Sequence, residues 1–580
     1  MVYLELTNCK NCTSLPTLGG LPFLKYLVIE GMNQVKSIGD GFYGVTAHPF
    51  RSLESRRFEN MPEWNNWLIP KLGHEETEAL FLCLRELRII KCPKLINLPD
   101  ELPSLVTIHV KEWQELEMLS CLWERLAQPL MVLEDLGIHE CDELACLRKP
   151  GFGLENLGGL RRLWINGCDG VVSLEEQGLP CNLQYLEVNG CFNLEKLPNA
   201  LHALTSLTDL VIWNCPKIVS FLETNVQLST WKLKIVHLFI SFPEGELPAT
   251  LKKLIIEDCE KLESLPEGID SSNTCRLELL YVWGCPSLKS IPRGYFPSTL
   301  EILDIWDRQQ LESIPGNMLQ NLTFLQLLNL CNCPYVVSSP EAFLKPNLKA
   351  LSITDCENMR WPLSGWSLHT LTSLGELCIQ GPFPDMLSFS GSQLLLPISL
   401  TTLRLGNLRN LKSIASMDLQ SLISLKTLEL YNCPELRSFV PKEGLLPTLA
   451  RLVIWECPIL KKRCLKDKGK DWPKIAHIPY VEIDDIVFGV AYSKTEECIE
   501  LMTRKGIDVD ESRISCHSYL QGLDLAWKTL VVCDVYGWMG VMGCILGRAR
   551  AILQSSILGS ERMFLLREVA KCTGHPHISY

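Results

Sequence analysis

The sequence predicts an α/β repeat fold, a horseshoe-shaped solenoid with a parallel sheet on its concave face and an irregular convex side. An apolar frame recurs along the chain, as at Leu207, Leu210 and Ile212, and a residue such as Cys215 follows it. The last two apolar residues of the frame are separated by one residue that points outward. This two-residue alternation is typical of a short strand. The mean spacing of the units, about 25 residues, is that of leucine-rich repeats.

About 19 units are predicted, and each turns at one residue shortly after its strand. Most of these turn residues are cysteines. They are Cys9, Met32, Met61, Cys92, Trp113, Cys141, Cys168, Cys191, Cys215, Phe242, Cys259, Cys285, Arg308, Cys333, Cys356, Pro382, Leu408, Cys433 and Cys457. A thiol inside such a turn acts as a small buried hydrophobe with a weak donor. This pattern favours reduced structural cysteines over redox or metal chemistry.

The part of each unit that follows the turn is predicted to be irregular. Cys-Pro pairs such as Cys215-Pro216 and Cys433-Pro434 end the strand, because proline cannot donate a ladder hydrogen bond. Leu-Pro pairs such as Leu197-Pro198 come next and favour extended or turn backbone. Each unit therefore combines one strand with a convex segment of turns and short helical pieces.

Three regions are expected along the chain. The repeats cover residues 1–460, and residues 461–488 form a basic segment with tryptophan and proline that we expect to fold over the last unit as a C-terminal cap. Residues 489–580 lack the repeat frame, and we expect a poorly structured or small appended tail, or an artefact of the gene model. The array begins within a unit at Met1, so we expect either that the chain is a fragment or that something not encoded in this sequence covers that end.

Composition excludes several functional classes. Of the 580 residues 47 % are hydrophobic, as in globular proteins, and the net charge is −12. An acidic chain is a poor match for nucleic acid or an anionic membrane surface. No apolar run reaches the about 20 residues that span a bilayer, and no secretory signal is evident. With its 26 cysteines interpreted as reduced thiols, the chain is predicted to be cytoplasmic, with the nucleus as an alternative.

No catalytic constellation is visible in the sequence. It lacks the phosphate-binding loop, the dinucleotide fingerprint, the zinc-protease helix motif and the nucleophile elbow. The strongest metal-like group, Cys572, His575 and His577, has no fourth ligand close to it in the sequence. We therefore predict no enzymatic activity, no cofactor and no metal. An enzyme would require a hidden site in the tail.

Aromatic residues on one face of the sheet are the strongest sign of a binding surface. The residue after the second strand apolar position should point from the concave face into solvent, and exposed aromatics anchor protein interfaces. The candidates are His139, Trp213, Trp283, Trp306, Tyr431 and Trp455, with Trp164 one column over on the same face. The alternative is that neighbouring rings stack on each other or pack against another domain of the same polypeptide.

Four longer segments are distinctive. They are LPTLGGLPFLKYLVIEGMNQVKSIGDGFYG (Leu15–Gly44), FRSLESRRFENMPEWNNW (Phe50–Trp67), LSGWSLHTLTSLGELCIQGPFPDMLSF (Leu363–Phe389) and DWPKIAHIPYVEID (Asp471–Asp484). Together they resemble the leucine-rich-repeat region of plant coiled-coil nucleotide-binding (CC-NB-LRR) disease-resistance proteins, over residues 1–486. One departure is Arg56, which stands where a strand leucine is expected and should weaken its unit. The other is that the coiled-coil and nucleotide-binding domains of the family are not in this sequence.

The resemblance implies the sensor and regulatory region of a plant intracellular immune receptor. Its partners would be a pathogen effector or a guarded host protein, and a nucleotide-binding domain contacted in the same chain or in trans. A free-standing leucine-rich-repeat adaptor or decoy, working by binding alone, is the alternative. An extracellular receptor would predict a signal peptide, an asparagine ladder and disulfide caps, which the sequence does not show.

Overall fold

The computed structural model describes residues 1–488 with gaps. The gaps are residues 47, 69–80, 97, 100–101, 113–131, 142–153, 155–156, 173, 175–178, 198–203, 220–227, 243–246, 267–268, 270–275, 290–295, 307–320, 334–343, 357–365, 382, 384–385, 390–395, 415, 442–443, 467 and 485. By its contacts the chain divides into two units, Met1–Val490 and Ala491–Tyr580, and all described residues belong to the first. The expectations for the tail therefore concern residues outside the described part.

One large sheet carries the repeats. Its strands are β1 (Tyr3–Thr7), β2 (Tyr26–Glu30), β4 (Ser55–Glu59), β6 (Glu86–Ile90), β7 (Thr107–Lys111), β8 (Asp135–His139), β9 (Arg162–Asn166), β10 (Tyr185–Asn189), β11 (Asp209–Trp213), β12 (Thr230–Lys234), β13 (Lys253–Glu257), β14 (Leu279–Trp283), β15 (Ile302–Trp306), β16 (Leu327–Cys331), β17 (Ala350–Thr354), β18 (Glu376–Gln380), β20 (Thr402–Gly406), β22 (Thr427–Tyr431), β23 (Arg451–Trp455), β24 (Tyr480–Ile483) and β25 (Ile486–Phe488).

Short elements lie between these strands. Two small sheets pair β3 (Ser37–Ile38) with β5 (Asn66–Trp67) and β19 (Ser388–Phe389) with β21 (Ser413–Ile414). The α-helices of the described residues are α1 (Asp40–Tyr43), α2 (Ser416–Ser421), α3 (Pro458–Cys464) and α4 (Trp472–Ile475), and Leu368–Thr370 forms a 3-10 turn. The segments between repeat strands are thus turns and short helical pieces, as the proline pairs predict.

Each repeat strand has five residues, and its second and fourth residues face the core. In β11, Leu210 is 1 % exposed and Ile212 is 0 % exposed, whereas Asp209, Val211 and Trp213 remain partly exposed. Successive side chains of a strand point to opposite faces of the sheet. The first, third and fifth residues therefore form a second surface, which we call the open face.

Neighbouring units are aligned without any offset. Leu186 lies opposite Leu210, and Leu210 lies opposite Trp231. The pairing is parallel from β1 to β24, and only β25 runs antiparallel to its neighbour. Residues at the same strand position therefore form columns that run along the sheet. The predicted leucine-rich-repeat solenoid with its parallel sheet is confirmed.

A residue with left-handed backbone follows every repeat strand whose next residue is described. It is asparagine or glycine in most units, as at Asn214 (φ 54°) and Gly284 (φ 66°), which are the residue types that tolerate this conformation. Its amide extends the parallel ladder, as from Asn214 N to Lys234 O at 2.8 Å. Ile235 (φ 53°) is a β-branched residue in the same position, where such a side chain is strained.

Apart from Cys9, which is exposed, the turn cysteines of the described residues are buried, and carbonyl groups accept hydrogen bonds from several of their thiols. Cys215 Sγ lies 3.3 Å from Trp213 O in its own unit and 3.7 Å from Val188 O in the preceding one. Burial raises the pKa of the Cys92 thiol to about 12 and that of Cys356 to about 11. These thiols are therefore protonated and unreactive at neutral pH. All cysteines of the described residues are free thiols.

Among the predicted turn residues that the structure describes, one is wrong, whereas Trp113, Arg308 and Pro382 lie outside the described residues. The unit expected to turn at Phe242 has its strand at β12, so Val236 takes the turn position and is fully buried. Phe242 packs against Trp231 instead, with ring centroids 5.3 Å apart. The unit has Ile235 where most others have asparagine or glycine, and valine where most have cysteine. Neither of the usual turn signals marks it in the sequence.

Arg56 occupies a core position in β4. It lies in register with Leu27 and Leu87, and all three residues are essentially unexposed to solvent. Its Nε, Nη1 and Nη2 atoms have no hydrogen-bond partner among the described residues. Burial lowers the pKa of the guanidinium to about 9. Arg56 therefore stands in a strand leucine's place, as the frame predicts.

Aromatic rings enclose this guanidinium. Its carbon lies between 4.2 and 5.5 Å from the ring centroids of Phe42, Phe50, Phe58, Trp67 and Phe81. A cation near the face of an aromatic ring is stabilised by the ring quadrupole. That attraction offsets part of the cost of removing an unpaired charge from water. The expected weakness of this unit stays a prediction.

The segment after the last repeat continues the sheet. Helix α3 follows β23 closely and buries Leu460 and Cys464. Strand β24 then pairs with β23 and buries Val481, and β25 closes the sheet. Trp472 in α4 packs on Phe488 in β25, with ring centroids 5.1 Å apart. These residues add apolar side chains to the core beyond the last unit, and the boundaries of a cap at 461–488 stay a prediction.

Within the described part of the chain, no helix is long and apolar enough to cross a membrane. Among the same residues, no three His, Cys, Asp or Glu side chains come together in a group that could hold a metal ion. The group of Cys572, His575 and His577 lies outside the described residues.

Candidate functional site

The open face is the candidate functional surface, and the predicted aromatic residues lie on it. Those predicted to follow the second apolar residue occupy the fifth strand position, and Trp164 occupies the third position of β9. All are partly exposed. The fifth-position residues are His139, Trp213, Trp283, Trp306, Tyr431 and Trp455.

These residues do not form one cluster. His139 belongs to β8 and Trp455 to β23, and strands of a sheet are spaced at about 4.8 Å. Tens of ångströms of sheet therefore separate the two. The candidates belong to four groups along the open face, and the groups differ in chemistry.

The first group is built on a pair of histidines. His109 Nδ1 lies 3.3 Å from His139 Nε2, and the two rings are stacked with centroids 5.5 Å apart. The Trp164 ring lies 5.8 Å from His109, and Tyr185 lies 5.7 Å from Trp164. Gly137 leaves the space for this contact, because a Cβ there would lie 2.1 Å from His109 Nδ1.

Both imidazoles are held in the neutral form. Burial is the main cause that lowers the pKa of His139 to about 4, and the positive charges of His109 and Lys111 contribute. Burial and the charge of Arg88 also lower the pKa of His109. At neutral pH the first group therefore presents uncharged aromatic and hydrogen-bonding side chains.

The second group surrounds Trp213. Lys234 Nζ lies 4.9 Å from the centroid of a Trp213 ring and Lys232 Nζ lies 5.9 Å from it, both from the next strand. Lys234 also forms an ion pair at 2.8 Å with Glu257, which is 2 % exposed. Trp213 thus packs against lysine side chains of its own sheet.

The third group lies on three consecutive strands and is almost entirely apolar. In register it comprises Leu279, Tyr281 and Trp283 of β14, Ile302, Asp304 and Trp306 of β15, and Leu327, Asn329 and Cys331 of β16. We call these nine residues the central block. Asp304 occupies its middle position and is its single charged residue.

Asp304 holds a carboxylate in this apolar setting. Asn329 Nδ2 donates a hydrogen bond to Asp304 Oδ1 at 2.9 Å. Burial raises the pKa of Asp304 to about 7, although hydrogen bonds from Asn329 and Trp306 act in the opposite direction. Asn329 Oδ1 is shielded from solvent and has no hydrogen-bond partner among the described residues.

The fourth group is a network of charges. Glu429 is 5 % exposed and accepts hydrogen bonds from Arg404 Nε and from the Tyr431 hydroxyl, both at 2.9 Å. Arg451 Nε lies 3.5 Å from Glu429 on the other side. Trp455 stands next to Tyr431 in register. The Tyr431 hydroxyl is therefore already occupied within the sheet.

Comparison with known proteins identifies relatives of this chain. It is 36 % identical over 227 residues to the Arabidopsis thaliana disease resistance RPP13-like protein 1, covering 37 % of this chain and 20 % of that protein. It is 24 % identical over 648 residues to the Arabidopsis thaliana disease resistance protein At3g14460, covering 83 % of this chain and 44 % of that protein. The resemblance to plant disease-resistance proteins is confirmed. The chain spans less than half the length of these curated relatives.

Other comparisons add less. No protein-family model matches the chain. Among solved structures, a chain of the Drosophila Toll–Spatzle complex aligns with 78 % of this chain and 63 % of its own length, at 14 % sequence identity and a TM-score of 0.44. At that TM-score the alignment adds nothing to the fold, which the strand register of the chain defines.

Most functional candidates in the third strand position were not predicted from the sequence. That column contributes His109, Tyr281, Asp304 and Glu429, whereas only Trp164 was predicted from it. The signal was available, because the residue between two buried strand residues must lie on the open face. The predicted residues were aromatic residues that mainly followed the second apolar strand position, so Asp304, Glu429 and Tyr281 in the third position were left out.

Proposed function

We propose that the chain is the effector-sensing and regulatory leucine-rich-repeat region of a plant intracellular immune receptor, and that it recognises another protein through the open face. The central block carries this proposal. It places two tryptophans, Trp283 and Trp306, side by side on adjoining strands among aliphatic side chains. Aromatic anchors on a rigid apolar surface are typical centres of protein interfaces. The disease-resistance relatives support a role in defence.

The partners follow from this role. The open face would bind a pathogen effector or a guarded host protein, and the repeats would regulate a nucleotide-binding domain in the same polypeptide or in trans. The compartment would be the cytoplasm, with the nucleus as the alternative. Recognition would proceed by binding alone, and charged side chains of the open face such as Glu429 and Arg404 would serve to hold the sheet through their ion pair.

Co-expression in leaves with a panel of pathogen effectors tests the proposal. We expect one effector to associate with the chain and to trigger immune cell death in the presence of a nucleotide-binding receptor. The double variant Trp283→Ala/Trp306→Ala should lose that association and keep its melting temperature. Phe324→Ala is the matched control, because Phe324 is an apolar side chain with 59 % exposure that precedes β16 and lies off the open face. Equal loss in both variants would contradict the proposal.

The same experiment separates a free-standing adaptor or decoy from a regulatory region. A regulatory region should suppress the activity of a co-expressed nucleotide-binding receptor that lacks its own repeats. An adaptor should bind the effector and leave that activity unchanged. Both results depend on the open face, so the tryptophan variants remain informative in either case.

A further inference from the structure

The central block contains one carboxyl group, that of Asp304, and no cation of the described residues is paired with it. The acidic residues that are nearly inaccessible to solvent each form an ion pair with an arginine or lysine of the chain; these are Asp135, Glu257, Glu429 and Asp471. Asp304 is partly exposed. Asp304 forms no ion pair among the described residues, and the polar groups that act on it are Asn329 and Trp306. A carboxylate in an apolar setting is costly unless a cation compensates it.

In the part of the chain that the structure describes, no cation stands near Asp304 on the open face. Across the open-face positions of β14 to β17, Asp304 is the single charged residue. The nearest open-face lysine on the N-terminal side is Lys253, two strands away and on the order of 10 Å distant. On the C-terminal side, the nearest open-face arginine is Arg404, four strands away and about 19 Å distant.

A second polar atom beside Asp304 also lacks a partner. Asn329 uses its amide nitrogen to donate to Asp304, which leaves Asn329 Oδ1 without a donor. Leaving a shielded acceptor unsatisfied costs free energy. The Asp304 carboxylate thus has no counter-cation and Asn329 Oδ1 has no donor among the described residues, so both acceptors on these adjoining strands can accept hydrogen bonds from a partner protein.

An arginine side chain suits these two acceptors better than a lysine does. A guanidinium presents five N–H donors in one plane and can serve two acceptors at once, whereas a lysine ammonium is a compact, strongly hydrated charge. The guanidinium plane also stacks on aromatic faces, and Trp283, Trp306 and Tyr281 surround Asp304 in the register. The block thus offers a carboxylate, an amide oxygen and aromatic walls in one place.

We propose that the central block receives an arginine side chain of the partner protein, with its guanidinium on Asp304 and Asn329. The apolar residues that flank this arginine in the partner then cover Trp283, Trp306 and the aliphatic rim. This proposal deepens the proposed function and rests on it. It assigns the partner a chemical class, an arginine within an apolar segment.

Short peptides test the site without knowledge of the partner. The purified chain is titrated at pH 8 with acetylated, amidated tripeptides that have leucine at both ends and arginine, citrulline or lysine in the middle. Citrulline is the matched probe, because it keeps the shape of arginine and removes its charge. Binding is followed by the indole resonances of the tryptophans. We expect the arginine peptide to bind at least about tenfold more tightly than the citrulline peptide, with lysine between them.

Two variants connect the preference to the site. Asp304→Asn should remove the difference between arginine and citrulline, and Asn329→Ala should reduce the preference of arginine over lysine. Asp209→Asn is the control, because Asp209 is an aspartate on the open face of β11, outside the central block. Thermal melting shows whether each variant is folded, and Asp304→Ser replaces Asp304→Asn if the latter does not fold.

Several results would overturn the inference. They are equal binding of the arginine and citrulline peptides, an arginine preference that survives in Asp304→Asn, or no binding of the arginine peptide at millimolar concentration. The proposed function fails separately. If the arginine preference depends on Asp304 but no effector is recognised, the site stands and the immune role falls. If effector recognition requires Trp283 and Trp306 but no arginine preference exists, the reverse holds.

Discussion

The guanidinium carbon of Arg56 lies 4.2 Å from the centroid of the Phe58 ring, and both residues face the core from strand β4. The cation therefore occupies the interior of the repeat, where its neighbours in register are Leu27 and Leu87. Its guanidinium lies among aromatic rings, and its nitrogen atoms have no hydrogen-bond acceptor among the described residues. Removing such a charge from the core while keeping an apolar side chain should relieve the desolvation cost.

Arg56→Leu should stabilise the repeat array. Because leucine is the residue of the neighbouring units and carries no charge to desolvate, we expect the free energy of unfolding to rise by about 1–3 kcal/mol. Urea unfolding at pH 7 measures it. Arg57→Leu is the control, since that side chain lies on the open face with 42 % exposure and should change stability by no more than about 0.5 kcal/mol. A lower stability of Arg56→Leu would show that the aromatic cage stabilises the cation.

Ile235→Asn should also stabilise the chain. The residue has φ 53°, and a left-handed backbone costs an L-residue about 1–2 kcal/mol that asparagine largely avoids. We expect a gain of about 1 kcal/mol in the same unfolding experiment. The converse change, Gly190→Ala, should cost a similar amount through its backbone alone, because the nearest atoms to an added Cβ lie 3.6 Å away. A change of the same sign in the free energy of unfolding of both variants would contradict this prediction.

Gly137→Ala should break the histidine pair. The added methyl group would lie 2.1 Å from His109 Nδ1, so one imidazole must move into solvent. The pKa of His139 should then rise from about 4 toward the ordinary value of about 6.5. Titration of the histidine resonances measures this. An unchanged pKa of His139 would mean that the contact with His109 does not hold the ring in its buried position.

The histidine pair also predicts a pH dependence of stability. The folded-state pKa of His139 is lower than that of the unfolded chain, so the unfolded chain binds more protons between about pH 6.5 and pH 4. Its contribution to stability is full above pH 6.5 and is lost as the pH falls through that range. In Gly137→Ala this loss should be smaller, which unfolding curves at pH 7.5 and pH 5 would show.

Asp304→Asn should remove a pH dependence whose sign is opposite to that of His139. The pKa of Asp304 is raised from 3.8 to about 7, so the folded chain holds the proton longer and this group's contribution to stability falls as the pH rises between those values. The titratable neighbours in the register are Tyr281 and Cys331. We expect the variant to be more stable than the parent by about 1–3 kcal/mol at pH 8 and nearly equal at pH 4. The control is Asp209→Asn, and a constant difference at both pH values would contradict the prediction.

Most of the fold could be predicted from local sequence signals. The alternation of Leu210 and Ile212 with outward residues defines a strand, and asparagine, glycine and cysteine mark the bend that follows it. The prediction failed at Phe242 because β12 has none of these signals, and its bend at Ile235 depends on the register that the neighbouring units impose. Tertiary pairing there overrides the local preference of isoleucine.

The candidate site was less accessible to prediction. The alternation of inward and outward strand residues placed Trp213 and Tyr431 on the open face. It could not show that Lys234 lies over Trp213 or that the Tyr431 hydroxyl donates to Glu429. Those partners depend on the register between strands, and register is a property of the pairing. The apolar surroundings of Asp304 could not be predicted for the same reason, because they come from two adjoining strands as well as its own.

The absence of any offset between neighbouring strands has a consequence for how such a chain can diversify. Duplication or loss of one whole unit by unequal recombination moves every later side chain by one strand spacing, about 4.8 Å, and leaves it in its own column. Leucines that face the core still face it after such an event, because the exchange of a whole unit does not shift the alternation of inward and outward residues along a strand. The neighbours of an outward residue such as Asp304 are nevertheless replaced at once. Exchange of whole units can thus change which residues lie side by side on the open face, while the residues of the core stay the same.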